Sequence, residues 1–438
     1  MIWARSWIND TCNPAMPDFA SLQGERPRLA HCFAKHWQTP LQDYAKLLYG
    51  PRENRIENLF LFALREELEE SGYDPQEIED ALAYLEETPV LQCSHHVTPT
   101  FGPTFLTLDL ISLSGIPEGK PYLIAANSGV PFSNSAWSGA LSYQDLPLEE
   151  LVEVQSPLFK KAEAAKRERA EHGESELRLS LIPAKLRDQL VFGEKIPTPL
   201  LESFSHLQPE LKRLLAKPEE GVAYSSFANQ CARRIEEKLF SRKVIIFDFN
   251  RLIARYLVKL FEQEPDHPII LLLSDPEILE KMNKGSEHPL TFLASYSGKK
   301  SKKLEKLLWT GNALQGQKFG NQSVQFKEVI QGLKEQRLCP GILLSFLVTR
   351  FCQGIRCLGS FNQIDYLEKI RLDLDQLGLD WLDLSHFGPS LTTGRLSSQQ
   401  ETWMPLDMAL KGEGIELTKF QKIPMGTFWE HYYYQFSS

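Results

Sequence analysis

The chain has 438 residues, with 48 Lys plus Arg against 57 Asp plus Glu and a formal net charge of −9. Hydrophobic residues make up 42% and charged residues 24%, globular proportions that exclude a disordered or collagen-like polymer and leave length for two or three domains. The acidic balance argues against a protein that works by neutralising nucleic-acid phosphates, and no run reaches the roughly 20 apolar residues of a membrane span, so neither nucleic acid nor membrane is an expected partner.

The N-terminal stretch has no continuous apolar core, being broken by Asp10, Asn13 and Pro14, so no secretory leader is expected there. The seven cysteines, Cys12, Cys32, Cys93, Cys231, Cys339, Cys352 and Cys357, form no CxxC pair. An odd, scattered set reads as reduced thiols in the cytoplasm, without a cysteine-built metal site.

Residues 1–90 read as a helical segment. RIENLFLFALREELEE (55–70) is amphipathic, and Asp74-Pro75 starts a second helix, completing an αα-hairpin. Residues 91–147 read as the first part of an α/β core: LTLDLISLSG (106–115) as a buried helix closed by Gly115, PYLIAAN (121–127) as a buried strand, then a polar loop. Residues 148–221 read as a helical insertion in which 159–174, rich in charge, forms a solvated arm. Residues 222–380 read as the second part of the core. KVIIFDF (243–249) is its strongest strand, a helix follows over 250–263, and PIILLLSD (268–275) fits strand or helix equally. SGKKSKKLEK (297–306) reads as a basic hinge followed by helical runs. CPGILLSFLVTRFCQGIRCLGSFNQIDYLEKI (339–370) reads as an apolar helix, a short strand, a glycine turn and a helix. Residues 381–438 read as a tail packed on the core, its aromatics at 428–436 being either packing groups or a partner surface.

Candidate functional residues follow from these placements. His95 and His96 are adjacent, so on an extended chain one faces a site and the other the core. Imidazole can donate to phosphate oxygens, and Gly102-Pro103 then opens a helix whose N-terminus attracts anions. Asn127, Ser128 and Asn134 lie just beyond a strand that would be parallel, where ligands bind to loops offering neutral donors and acceptors. Arg233 can clamp a carboxylate or phosphate, or simply pair with acids on its own helix. Asp248, ending the best strand, can bind a ribose hydroxyl or a metal, while Asn250 caps the next helix. Lys299 and Lys302 resemble, over the KxSK pattern alone, the pyrophosphate-holding loop of class I aminoacyl-tRNA synthetases. No HExxH, GxSxG or P-loop occurs.

Two segments, SHHVTPTFGPTFLTLDLISLSG with the following PYLIAAN, and the late CPGILLSFLVTRFCQGIRCLGSFNQIDYLEKI with Gly359, Gln363 and Tyr366, resemble the bacillithiol-biosynthesis cysteine-adding enzymes. The resemblance implies a Rossmann-like α/β core with helical additions and an amino-acid ligase driven by ATP and Mg²⁺. It places His95 and His96 near the phosphates, Asn127 and Asn134 near the substrate, and Gln363 and Tyr366 at the wall of the site. Gly102, Asp248, Lys299 and Lys302 are the expected nucleotide contacts. The expected activity joins an amino acid or similar amine to a small-molecule carboxylate, in a monomer or homodimer. Two other readings stay open: a non-enzymatic binding protein of the same fold, and a nucleotide-independent transferase or hydrolase with His95 as base.

Overall fold

The computed structural model describes residues 15–51, 55–130, 132, 139–183, 186, 190–285, 290–297, 302–309, 313–316, 323–385, 388–395 and 403–437. Helices come first: α1 (Ala20–Glu25), α2 (Pro27–His36), α3 (Leu41–Leu48), α4 (Asn58–Glu70) and α5 (Pro75–Glu87). The α4–α5 hairpin forms because Asp74 and Glu77 make a reciprocal capping box, with Pro75 in the first turn. The core then opens with β1 (Val90–Gln92), α6 (Pro103–Leu113) and β2 (Tyr122–Ala126). Gly115 lies just after α6 with negative φ; a Cβ there would stand 2.5 Å from the Ala45 carbonyl oxygen. Its role is to let α6 approach α3, and it is not a left-handed helix cap.

β3 (Ala140–Tyr143) closes the first part of the core, and the insertion runs through α7 (Leu148–Leu151), α8 (Pro157–Glu171), β4 (Leu177–Ser180), α9 (Thr198–Ser205) and α10 (Pro209–Leu214). It is not wholly helical, since β3 and β4 pair antiparallel. The solvated arm is α8, which buries only Leu158 and Ala162. The core resumes with α11 (Tyr224–Phe240), β5 (Val244–Asp248) and α12 (Phe249–Gln263). The open choice at 268–275 falls to helix: α13 (Pro268–Ser274) is followed by α14 (Pro276–Gly285).

The basic hinge and helical runs expected after 297 are corrected. A five-stranded antiparallel sheet occupies much of this region, with β6 (Phe292–Ser297), β7 (Lys302–Trp309), β8 (Ala313–Gln315), β9 (Ser323–Gln325) and, after α15 (Phe326–Lys334), β10 (Leu338–Pro340). In β7, burial alternates over Glu305, Lys306 and Leu307, buried, exposed and buried, a short alternation hidden among lysines. The late segment holds α16 (Ile342–Phe346), a π-helical turn over Leu347–Cys352, β11 (Arg356–Leu358) and α17 (Phe361–Asp375), and the tail ends in α18 (Pro405–Lys411) and α19 (Met425–Ser437).

The central sheet is wholly parallel in the order β11-β1-β2-β5, with Gln92 opposite Ile124, Ala126 opposite Asp248 and Leu91 opposite Cys357. Its strands are buried throughout, as a parallel sheet covered on both faces must be. The free edge of β5 is covered by Tyr73, whose hydroxyl donates to the Ile246 carbonyl at 2.9 Å and accepts from the Ile246 amide at 2.7 Å. The tail aromatics pack on the body. Trp429 stacks on Phe33 and donates to the Thr393 carbonyl at 3.2 Å, and the Tyr433 hydroxyl donates to the Asp18 carbonyl at 2.7 Å.

Candidate functional site at the carboxyl ends of the parallel strands

Strands β1, β2 and β5 step in one direction across the sheet and β11 returns to the far side of β1. The winding therefore reverses between β1 and β11, and the loops leaving these two strands diverge. In open α/β sheets this reversal marks the ligand crevice. Helices α6, α12 and α17 each start beyond a carboxyl end. Asp248 caps α12 through the Arg251 amide at 3.1 Å and Ser360 caps α17 through the Gln363 amide at 3.4 Å, whereas no side chain caps α6 at Gly102. An uncapped N-terminus beside the crevice favours an anion.

His95 and His96 divide as alternation requires. His95 is fully buried, with Nε2 3.1 Å from an Asp109 carboxylate oxygen and its ring against Phe101 and Phe105. Asp109 also accepts the Tyr122 hydroxyl at 2.8 Å. A second carboxyl lies beside it: Glu236, on α11, is 1% exposed and has no donor within reach, its one polar neighbour being the Asp109 carboxyl. Burial, then the Asp109 charge, pushes the Glu236 carboxyl well above the usual range. Seven residues earlier on the same helix face, the Asn229 amide nitrogen is buried and unpartnered. His96 is half-buried and pairs in parallel with Asn127, so the two side chains lie side by side. Burial, then the neighbouring His95, pushes the His96 imidazole down to about 4, leaving it neutral at pH 7. Its Nδ1 is buried without a partner, as are the His95 Nδ1 and the Ser94 hydroxyl.

The ends of β2 and β5 are tied together. The Ser128 hydroxyl donates to Asp248 at 2.5 Å, and the Asn250 Oδ1 accepts from the Ser128 and Gly129 amides at 3.0 and 2.8 Å. Asn250 Nδ2 donates to the Pro340 carbonyl at 3.0 Å, and Asn127 Oδ1 accepts from Gly129 at 2.8 Å. The helix capping expected of Asn250 is corrected: Asp248 is the cap, and Asn250, inside the first turn, ties the ends of β2 and β5 together instead. Burial raises the Asp248 carboxyl despite the nearby Arg251 guanidinium. Ser128 and Asp248 bind one another, and the Asn127 amide nitrogen has no hydrogen bond to them.

Other expected residues stand elsewhere or are engaged. Arg233 lies on the flank against the α4–α5 hairpin, paired with Glu77 and with Glu237 at 3.0 Å, its guanidinium 4.6 Å from the Tyr73 ring centre. It holds the hairpin to α11, which corrects its assignment to substrate. Lys302 sits in β7 and pairs with Glu194 at 2.5 Å, so its assignment to nucleotide is corrected as well. Gln363 folds back onto the Cys357 and Leu358 carbonyls at 3.2 Å, in space that a Cβ on Gly359 would fill. Tyr366 packs beside Phe346, and burial together with the Cys93 and Cys357 thiols raises its hydroxyl. Asn134 and Lys299 lie outside the described residues.

Asp109, Tyr122, Glu236 and Ser94 were not singled out from the sequence. Asp109 had a signal, a lone acid inside the apolar run LTLDLISL; Glu236 had none, lying among the acids of an amphipathic helix. Among the described residues no group of three or more His, Cys, Asp or Glu side chains is placed to hold a metal ion, and no helix is long and apolar enough to cross a membrane.

Fold and site together define a mixed α/β protein with a polar, partly unsatisfied crevice at the carboxyl ends of a four-stranded parallel sheet. Compared with family models, with curated proteins and with solved structures, the chain matches none.

Proposed function

We propose that this chain is an ATP-dependent ligase with a Rossmann-like core, joining an amino acid or similar amine to a small-molecule carboxylate in the cytoplasm, as a monomer or homodimer. One observation carries the reading. Three consecutive residues leaving β1 hold buried polar atoms without partners, Ser94 Oγ, His95 Nδ1 and His96 Nδ1, at the place where the winding of the sheet reverses. Buried polar groups are nearly always paired, and orphans gathered at one strand end fit a missing ligand. The six described cysteines are free thiols, which supports a reducing compartment.

His96 and the Asn127 amide would donate to phosphate oxygens, assisted by the uncapped start of α6 at Gly102. Asp109 fixes His95, and His95 in turn shapes the loop that presents His96. ATP would supply the leaving group that activates the carboxylate, with Mg²⁺ carried on its phosphates, as the ion commonly is in nucleotide sites. Catalysis in this site is positioning and electrostatics.

A bound phosphate raises the affinity of His96 for a proton, so nucleotide binding near neutral pH takes up protons. Titration calorimetry of ATP with Mg²⁺, in buffers of different ionisation enthalpy, measures that uptake. The expected result is binding with proton uptake, and in His96→Ala a loss of uptake with affinity about tenfold weaker. Absence of binding by ATP, ADP and AMP to cooperatively folded protein sinks the ligase reading and leaves a nucleotide-independent or purely binding protein.

A further inference from the structure

Beside β5, between α4, α12 and the turn after α15, lies a cleft with about 230 Å³ of solvent space. A water molecule occupies about 30 Å³ of liquid, so the cleft has room for a molecule the size of a free amino acid. Its floor is an ion pair between two buried residues. Arg251, 2% exposed, donates to the Glu67 carboxylate at 2.9 and 2.8 Å. Glu67 also accepts the Asp248 amide at 3.3 Å and Asp248 accepts the Arg251 amide, so the floor is joined to the carboxyl end of β5.

The walls are charged in a definite order. Arg255 pairs with Glu67 at 3.1 Å and with Glu70, Lys259 pairs with Glu66 at 2.8 Å, and Lys334 pairs with Glu262 at the rim. Four cations, Arg251, Arg255, Lys259 and Lys334, line the cleft with three carboxylates, Glu66, Glu70 and Glu262, and the buried Glu67 beneath them balances the sum. Depth separates the signs within two of the pairs: the Arg255 and Lys259 side chains are 24% and 11% exposed, against 43% for Glu70 and 33% for Glu66. In these two pairs the cation lies deeper than its carboxylate, whereas at the floor the Glu67 carboxylate is fully buried and at the rim Lys334 and Glu262 are equally exposed. Charges buried in this way stabilise a fold poorly compared with apolar packing, and here they surround open space. Gln336, another lining residue, holds a left-handed backbone with φ 55°, strain of a kind that gathers at functional sites.

We propose that this cleft binds a small zwitterion of free amino-acid size, its carboxylate seated inward on Arg255 and Lys259 and its ammonium outward on Glu66 and Glu70. The proposal goes beyond the ligase reading and does not rest on it, because the cleft needs no nucleotide to bind.

The test is calorimetry on the full chain without nucleotide, using a panel of free amino acids and, for each, its N-acetyl derivative and its decarboxylated amine. The expected result is saturable binding of at least one amino acid, with both of its derivatives about tenfold weaker or worse. Lys259→Met and Glu66→Gln are each expected to weaken that amino acid about tenfold, with circular dichroism confirming folded protein. Wild-type protein that binds no amino acid overturns the proposal, as does an amine or an N-acetyl derivative binding as tightly as its parent. Should one variant fail to fold, the other decides, and a folded variant that binds the amino acid as tightly as the wild type overturns the proposal. ATP binding without amino-acid binding defeats this proposal and spares the ligase reading; the opposite pattern does the reverse.

Discussion

At the ends of β2 and β5, Asn127, Ser128, Gly129, Asp248 and Asn250 close on one another, and almost every donor finds an acceptor. At the end of β1, Ser94, His95 and His96 leave the same sheet with buried polar atoms unmatched. A closed knot contributes rigidity and has little left to offer a ligand. An open end contributes less to stability and keeps its donors for something else. Two strand ends of one sheet thus separate a structural role from a binding role among residues of the same chemical types.

The largest effect is expected from opening the knot. Asn250→Ala strands the buried Ser128 amide and Pro340 carbonyl, while the Gly129 amide keeps Asn127, at a cost on the order of 3 kcal/mol. Urea denaturation should show a lower midpoint with an unchanged slope. A loss below about 1 kcal/mol would mean that the knot is dispensable and the contrast with β1 does not hold.

The knot and the open end differ too in how far they could be read from the sequence. The strands β2, β5 and β11, the hairpin α4–α5 and the helix α6 were visible because buried parallel strands are continuous apolar runs and caps such as Asp74 carry their own signature. The strands β6 to β9 were not, because lysines on the exposed positions of β7 hide the alternation. Asn127, Ser128 and Asp248 were found as polar groups after strands, but a sequence cannot show that they would bind one another across a gap of 120 residues. His95 and His96 were found as a pair, and only their burial tells which is held by Asp109 and which is free. Glu236 stayed hidden because an acid on a long amphipathic helix is ordinary until a second helix buries it.

A smaller effect, opposite in sign, is expected behind the open end. Burial and the Asp109 charge raise the folded Glu236 carboxyl, whereas in the unfolded chain it ionises near pH 4.3. Its folded pKa is raised, so the stability it contributes is complete below that ordinary value and is lost as pH rises toward the folded one. At pH 7 to 8 Glu236 therefore weakens the fold. Glu236→Gln keeps the shape and removes the titration. It should be more stable than the wild type by on the order of 2 kcal/mol at pH 8, with the two converging near pH 4. Thermal melts across that range check it. A variant less stable at every pH would mean that the carboxylic acid proton is a required donor, joining Glu236 to the closed regions.

The smallest effect at neutral pH is expected at His96. It has no hydrogen bond to lose, so His96→Ala should shift stability at pH 7.5 by no more than about 0.5 kcal/mol. The two proteins should part in acid. The folded His96 imidazole lies near 4 against about 6.5 for an unfolded histidine. Its contribution is therefore complete above 6.5 and is lost as pH falls toward 4, by up to about 3 kcal/mol, a loss the variant should not show. Urea melts at pH 7.5, 6, 5 and 4.5 separate the two limbs. A variant that matches the wild type at neutral pH, resists acid better and has lost a ligand would mark His96 as a residue kept for binding at the expense of acid stability. A large loss already at pH 7.5 would place it with Asn250 in the closed part of the sheet end.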